Sequence, residues 1–136
     1  MAEGASISED ENYIIESTKD PNKKILLYGH NNSNSSYTLL YTLNVTNTEK
    51  LGKVHITPDG LYGVVGTYSK YFYVIKNINN TLSIIQNISS TSIIRNPIIS
   101  DDFQVIVFSE EFETAFIVRF YIFEPMSEKY ILSSES

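Results

Sequence analysis

One pattern occurs three times along the chain, and this repetition constrains the fold more than any other feature of the sequence. In each copy an isoleucine precedes a serine or threonine, an acidic turn follows, and a run of β-forming residues comes next. The marker isoleucines are Ile7, Ile56 and Ile99, so the spacings are 49 and 43 residues. A repeat of about 40 to 50 residues is one supersecondary unit that buries its apolar faces against its neighbours.

Each repeat is predicted to contain four short strands joined by turns. In the second repeat the strands are expected at residues 53–57, 61–67, 70–76 and 81–87. In the first they are expected at 4–8, 12–18, 23–29 and 36–45, with a turn at 19–22. In the third they are expected at 95–100, 103–109, 114–123 and 128–133. Short strands at about ten-residue spacing, with no helical period, predict an all-β meander.

Turn chemistry and composition agree with this prediction. In the turn Thr57-Pro58-Asp59-Gly60, proline presets φ and glycine accepts a positive φ. The chain contains 10 tyrosines and 7 phenylalanines beside many isoleucines and valines, which suit a pleated, half-buried surface. Helix is disfavoured because Asn, Gly, Pro or Ser interrupts every candidate window within about eight residues.

The second repeat resembles a blade of the WD40-like and YVTN/lactonase-like β-propellers. The resemblance lies in Thr57-Pro58-Asp59-Gly60, in the apolar strand that ends at Gly66-Thr67, and in Tyr73-Val74-Ile75. The first repeat has Glu11 in place of the turn glycine, the third lacks that glycine, and the chain has no Trp. The resemblance implies three tandem four-stranded antiparallel β-propeller-type blades in one repeat domain, with units at about 4–46, 52–90 and 95–134. It implies little about activity.

Three blades are fewer than the four to eight that normally close a propeller. Each terminal blade is therefore expected to expose an apolar face that needs a partner. The expected partner is a second copy, joined head to tail as a closed dimer or an open filament, or another protein chain.

Composition limits the classes of partner and the compartment. Sixteen acidic against ten basic residues give a net charge of −6, which argues against nucleic-acid binding. No apolar run approaches the ~20 residues of a membrane span, so no membrane insertion is expected. The absence of cysteine and of a visible signal peptide slightly favours the cytoplasm. A secreted protein stays open because N-glycosylation sequons occur at Asn31, Asn34, Asn44, Asn79 and Asn87.

No catalytic, cofactor or metal site is predicted from the residues. His30 lies in a polar loop, and His55 is expected on an innermost strand as a structural, hydrogen-bonded histidine. The acidic clusters fall on turns. Gly60, Gly63 and Gly66 are evenly spaced, but they are not followed by a helix whose N-terminus could bind phosphate. Aromatic residues of the second repeat are divided between the core and a surface. The candidate interaction surface comprises His55, Tyr68, Tyr71 and Tyr73.

These observations predict a non-enzymatic structural or interaction module that assembles into a ring or filament or docks into a larger complex. Two alternatives remain open from the sequence. One is a secreted, glycosylated surface or filament protein. The other, implied by the family resemblance, is a lactonase-like metal-dependent hydrolase.

Overall fold

The computed structural model describes residues 2–18, 23–45 and 50–135, and within these ranges all regular structure is β-strand. The first sheet contains β1 (Ala2–Ile7), β2 (Tyr13–Thr18), β3 (Lys24–Asn31) and β4 (Ser36–Asn44). The second contains β5 (Val54–Ile56), β6 (Tyr62–Gly66), β7 (Tyr71–Ile78) and β8 (Thr81–Ser89). The third contains β9 (Ile93–Ile99), β10 (Val105–Glu111), β11 (Phe116–Glu124) and β12 (Lys129–Glu135).

Within each sheet every strand pairs antiparallel with the next one along the chain, so each sheet is a four-stranded meander. The predicted fold class, all-β with three four-stranded antiparallel blades, is thereby confirmed. The turn predicted at residues 19–22 and the last residue of the 4–46 unit lie outside the described residues.

The second sheet lies between the other two. Its strand β7 is buried on both faces because Tyr73 and Ile75 pack towards the first sheet while Phe72 and Val74 pack towards the third. This explains why β6 and β7 read as nearly continuous apolar runs. The phenyl rings of Phe72 and Phe108 meet edge to face at 5.2 Å between the second and third sheets. Burying each such ring stabilises the fold by about 1.5–3 kcal/mol.

The same hydrogen-bonded turn opens the second strand of every sheet. In the first sheet the Ser8 hydroxyl donates to Asp10 Oδ1 at 2.6 Å, and the Asn12 and Tyr13 amides donate to these two side chains. The pairs Thr57–Asp59 and Ser100–Asp102 repeat these bonds at 2.6 and 2.7 Å. The hydroxyl bond, followed by backbone bonds, lowers the pKa of Asp10 and of Asp102. The marker serine or threonine of each repeat is therefore a turn residue.

The residue after the turn aspartate has a positive φ in all three sheets. It is Glu11 (62°) in the first, Gly60 (72°) in the second and Phe103 (57°) in the third. The third repeat thus keeps the turn without the glycine, at a conformational cost that L-residues normally avoid.

The first strands of the three sheets, β1, β5 and β9, lie side by side. A Cβ on Gly4 would come within 2.8 Å of the Gly52 carbonyl oxygen, so only glycine permits this approach of β1 to the second sheet. The Ser17 hydroxyl donates to the same carbonyl at 2.6 Å. Between the second and third sheets, the Ile99 amide donates to His55 Nδ1 at 3.1 Å. These contacts fix the register of neighbouring blades near the first strands.

Candidate functional site

A cavity of about 140 Å³ opens between the second and third sheets, beside the first strands. Its apolar floor includes Phe72 and Pro97, which are buried. Its polar lining residues include Lys53, Tyr68, Tyr71, Arg95 and Asn96. An apolar floor with a few convergent polar groups is the usual form of a small-molecule site.

Lys53 and Arg95 occupy equivalent positions of neighbouring blades. Gly66 lies nine residues after Thr57, and Ser109 lies nine residues after Ser100, the turn serine of its repeat. The Gly66 amide donates to the Lys53 carbonyl at 2.9 Å, and Ser109 pairs with Arg95. The repeat therefore places both residues in the lining of one cavity. They are separated by a whole blade in the sequence.

A bulge in β9 aims the side chains of the third sheet. The pairing of β9 with β10 shifts register between Val107 and Ser109, opposite Asn96 and Pro97. Asn96 has a φ of 49°, and Pro97 has no amide hydrogen to leave unpaired. Bulges of this kind tolerate proline and redirect the neighbouring side chains. Arg95 and Asn96 both belong to the lining of the cavity, and the Arg95 side chain shares the outer face of the third sheet with Ser109 and Glu111.

The β6–β7 turn positions the Tyr68 ring. The Thr67 hydroxyl donates to the Tyr71 carbonyl at 2.6 Å, and Tyr68 takes a φ of 59°. The Tyr68 hydroxyl donates to Glu3 Oε1 at 3.2 Å. Partial burial, and then this bond to Glu3, raises the pKa of Tyr68, so the phenol remains a proton-carrying donor at neutral pH.

The cavity rim carries positive charge that is only partly balanced. Arg95 Nε lies 2.7 Å from Glu111 Oε2, and both side chains remain nearly half exposed. No acidic side chain of the described residues forms an ion pair with Lys53, which is exposed. Cationic donors next to an apolar floor attract a carboxylate, a phosphate or a carbonyl oxygen on which negative charge develops.

The residues predicted as an interaction surface separate into three environments. Tyr68 and Tyr71 line the cavity. His55 is half-buried and accepts the Ile99 amide bond at Nδ1, which places the ring proton of the neutral form on Nε2. Tyr73 is only 7% exposed and belongs to the core between the first and second sheets, so its placement on a surface was wrong. The reason is that β7 is covered on both faces.

Sequence reasoning missed Lys53, Arg95 and Asn96. Lys53 lies four residues before Thr57 and Arg95 five residues before Ser100, so their equivalent strand positions depend on the bulge in β9, and their place in one cavity depends on how the blades stack.

The structure locates the residues of the remaining sequence predictions but does not test those predictions. Of the sequon asparagines, Asn34, Asn44, Asn79 and Asn87 are exposed and Asn31 is half-buried. Within the described ranges no three His, Cys, Asp or Glu side chains are grouped closely enough to hold a metal ion. No helix in the described part of the chain is long and apolar enough to cross a membrane.

No protein-family model matches the sequence, and no curated protein matches it significantly. Solved structures do match. A candidate 6-phosphogluconolactonase from Bacteroides uniformis is 14% identical with a TM-score of 0.76, covering 99% of this chain and 40% of its own. A candidate 6-phosphogluconolactonase from Bacteroides fragilis is 14% identical with a TM-score of 0.74, covering 97% and 38%. The periplasmic gluconolactonase PpgL of Pseudomonas aeruginosa is 13% identical with a TM-score of 0.70, covering 96% and 38%.

The resemblance to lactonase-type β-propellers is therefore confirmed at the level of fold, and the chain spans about two-fifths of the length of these neighbours. The same structures contradict the expectation of a non-enzymatic structural module. That expectation was wrong because it treated stacked blades without a sequence-visible catalytic cluster as a scaffold. Two of the neighbours are named as candidate 6-phosphogluconolactonases and the third as a gluconolactonase.

Proposed function

We propose that this chain forms part of a lactone-hydrolysing β-propeller, with the lactone ring bound in the cavity between the second and third sheets. The observation that carries the proposal is the lining of this cavity, in which Lys53, Tyr68 and Asn96 stand around an apolar floor beside the first strands. In lactone hydrolysis the carbonyl oxygen gains negative charge as water attacks the carbonyl carbon. Positioned cations and N–H donors stabilise that charge.

Three polar lining residues have roles in this proposal. Lys53 faces the ring carbonyl oxygen, and Asn96 and the Tyr68 phenol bind sugar hydroxyl groups. The apolar floor at Phe72 and Pro97 takes the carbon face of the ring.

Additional blades complete the structure in this proposal. Ile15 and Val64, each seven residues after its turn serine or threonine, pack towards the following sheet. The equivalent residue, Val107, belongs to the outer face of the third sheet, where Ile98 (49% exposed) pairs with it. Further apolar residues of this face are exposed, namely Phe116, Ile122 and Ile131. A further four-stranded blade, from a second copy or from other polypeptide, covers this face.

Hydrolysis of D-glucono-δ-lactone and its 6-phosphate tests the activity. We expect acid release, followed in a pH-stat above the rate without protein, and a loss of at least tenfold in kcat/KM for Lys53→Gln. Lys24→Gln, on β3 of the first sheet, is the matched control and should stay within twofold. The absence of hydrolysis in the assembled protein, or equal rates for Lys53→Gln and Lys24→Gln, would contradict the proposal.

Light scattering tests the completion of the structure. If a second copy covers the outer face, the mass will be a multiple of 15.5 kDa and Phe116→Glu will reduce it to one chain. A single-chain mass that does not change with concentration assigns the cover to other polypeptide. If the protein does not self-associate, the hydrolysis assay still tests the proposed lactonase activity separately.

A further inference from the structure

A second groove lies between the first and second sheets, away from the lactone cavity. The groove lies at a position that has an equivalent at the interface between the second and third sheets. Tyr13 and Tyr62 each follow the repeated turn, and their amides donate to Ser8 Oγ and Thr57 Oγ1 at 3.0 and 3.2 Å. Each ring extends towards the next sheet along the chain.

The residue facing these tyrosines differs between the two interfaces. The ring of Phe103 stacks on Tyr62 with centroids 4.3 Å apart and planes 11° apart. Gly60 takes the equivalent place opposite Tyr13, and a Cβ there would lie 2.8 Å from Tyr13 Cδ2. On the side of Tyr13 away from Gly60, a groove of about 450 Å³ lies between the first and second sheets, against about 230 Å³ at the equivalent interface.

The groove is lined by neutral hydrogen-bonding groups. Besides Tyr13 these come from Asn12, His30, Asn31, Asn32, Thr38 and Asn80, with no Asp, Glu, Lys or Arg among the described lining residues. The equivalent interface instead carries Lys76, Glu128 and Lys129. The two grooves share one geometry and differ in charge.

Several of these groups are held in fixed orientations. The Tyr13 hydroxyl donates to Asn80 Oδ1 at 2.9 Å, which turns the amide nitrogen of Asn80 to other acceptors. Asn31 Oδ1 accepts the Ser33 amide and hydroxyl at 3.0 and 2.7 Å, so its nitrogen is likewise a donor. The His30 ring packs against Tyr37 at 5.1 Å. Fixed donors and acceptors reduce the entropy lost when a ligand binds.

We propose that this groove binds a neutral polyhydroxylated ligand, a sugar or polyol. Amide, hydroxyl and imidazole groups match the alternating donors and acceptors of sugar hydroxyls, and the Tyr13 ring offers an apolar surface to the sugar C–H groups. A charged ligand would lose hydration without meeting an opposite charge. The volume lies within the range of small-molecule sites. The inference does not depend on the lactone activity.

NMR titration of the ¹⁵N-labelled, unglycosylated protein tests the site. The probes are D-glucose, D-mannose and N-acetylglucosamine, with D-glucuronate and D-glucosamine as charged counterparts. We expect saturable shifts of the amides around Asn12, His30 and Asn80 with at least one neutral sugar, and at least fivefold weaker binding of its charged counterpart. Shifts with no neutral sugar, or equal binding of glucuronate, would overturn the proposal.

Two variants separate binding from folding. Asn80→Gly removes the amide at a residue whose φ of 64° suits glycine, and Thr38→Val removes one hydroxyl at nearly constant volume. Each should weaken the sugar at least fivefold while the spectrum stays dispersed. Asn87→Ala, at an exposed asparagine of β8, is the control and should bind as the parent does. Unchanged affinity in both groove variants would also overturn the proposal.

Discussion

Phe103 occupies in the third sheet the place that Gly60 occupies in the second, and both residues have a positive φ, 57° and 72°. The phenyl ring compensates for the backbone strain because it stacks on Tyr62 and meets Phe123 edge to face at 5.3 Å. The equivalent backbone position is therefore occupied by a packed aromatic ring in the third sheet and by a conformationally free glycine in the second. Glu11, at this position in the first sheet, is exposed.

Glycine substitution should have opposite effects at these equivalent positions. Glu11→Gly should stabilise the fold by about 1 kcal/mol because it removes the strain of a left-handed L-residue and loses little packing. Phe103→Gly should destabilise it by about 2–3 kcal/mol because the lost aromatic packing exceeds the relief of strain. Urea unfolding followed by circular dichroism measures both. Effects of the same sign would contradict this account of the turn.

The turn carboxylates should make stability depend on acid pH. The Ser100 hydroxyl, followed by the Gln104 amide, lowers the pKa of Asp102 below its ordinary 3.8. Because the folded pKa is the lower one, the stabilisation is present above about pH 4 and is lost as pH falls through the folded pKa. Asp102→Asn should therefore lower the urea midpoint at pH 6 and converge with the parent near pH 2.

Asp101→Asn, at the exposed neighbour in the same turn, is the control for this pH experiment. It should leave the urea midpoint at pH 6 nearly unchanged. A constant difference between Asp102→Asn and the parent from pH 6 to pH 2 would show that the hydrogen-bonded carboxylate is not the source of the stabilisation.

His55 joins the second and third sheets through one ring nitrogen. Its Nδ1 accepts the Ile99 amide at 3.1 Å across the interface between the second and third sheets. His55→Asn places an amide oxygen near Nδ1 and should retain most of the stability. His55→Gln places its oxygen near Nε2 instead and should cost about 1–2 kcal/mol. Equal free energies of unfolding for the two variants would mean that this hydrogen bond contributes nothing.

Glu110 and Arg119 form a largely buried ion pair in the third sheet. Two bonds, from Arg119 Nε at 2.9 Å and Nη2 at 3.1 Å, reach the Glu110 carboxylate, whose side chain is 3% exposed. Arg119→Met should destabilise the fold by about 3 kcal/mol because it leaves a buried charge unpaired. The double variant Glu110→Leu/Arg119→Met should recover most of that loss. Additive losses in chemical denaturation would contradict the pairing.

Local features of the sequence were sufficient for the strands. The turn Thr57-Pro58-Asp59-Gly60 and the alternation after it predict β6 at residues 61–67, against Tyr62–Gly66 in the structure. Strand ends moved where no turn residue marks them. β9 begins at Ile93, two residues before the predicted start, because the bulge at Asn96 keeps both halves paired with β10.

The cavity could not be predicted in the same way. Lys53 and Asn96 line the same cavity only because one blade stacks on the next, and that stacking has no local signature in either segment. Tyr73 was misplaced for a related reason, since its burial depends on the first sheet covering β7. Strand periodicity shows which side chains share a face. It does not show whether a face is covered.

Titration with a non-hydrolysable lactam analogue of D-glucono-δ-lactone, observed in ¹H–¹⁵N spectra, tests the central claim most directly. We expect saturable shifts of the Gly52, Thr67 and Asn96 amides around the cavity, and at least tenfold weaker binding in Lys53→Gln. Saturable binding that leaves these amides unshifted, or that survives Lys53→Gln unchanged, would contradict the assignment of the lactone site to this cavity.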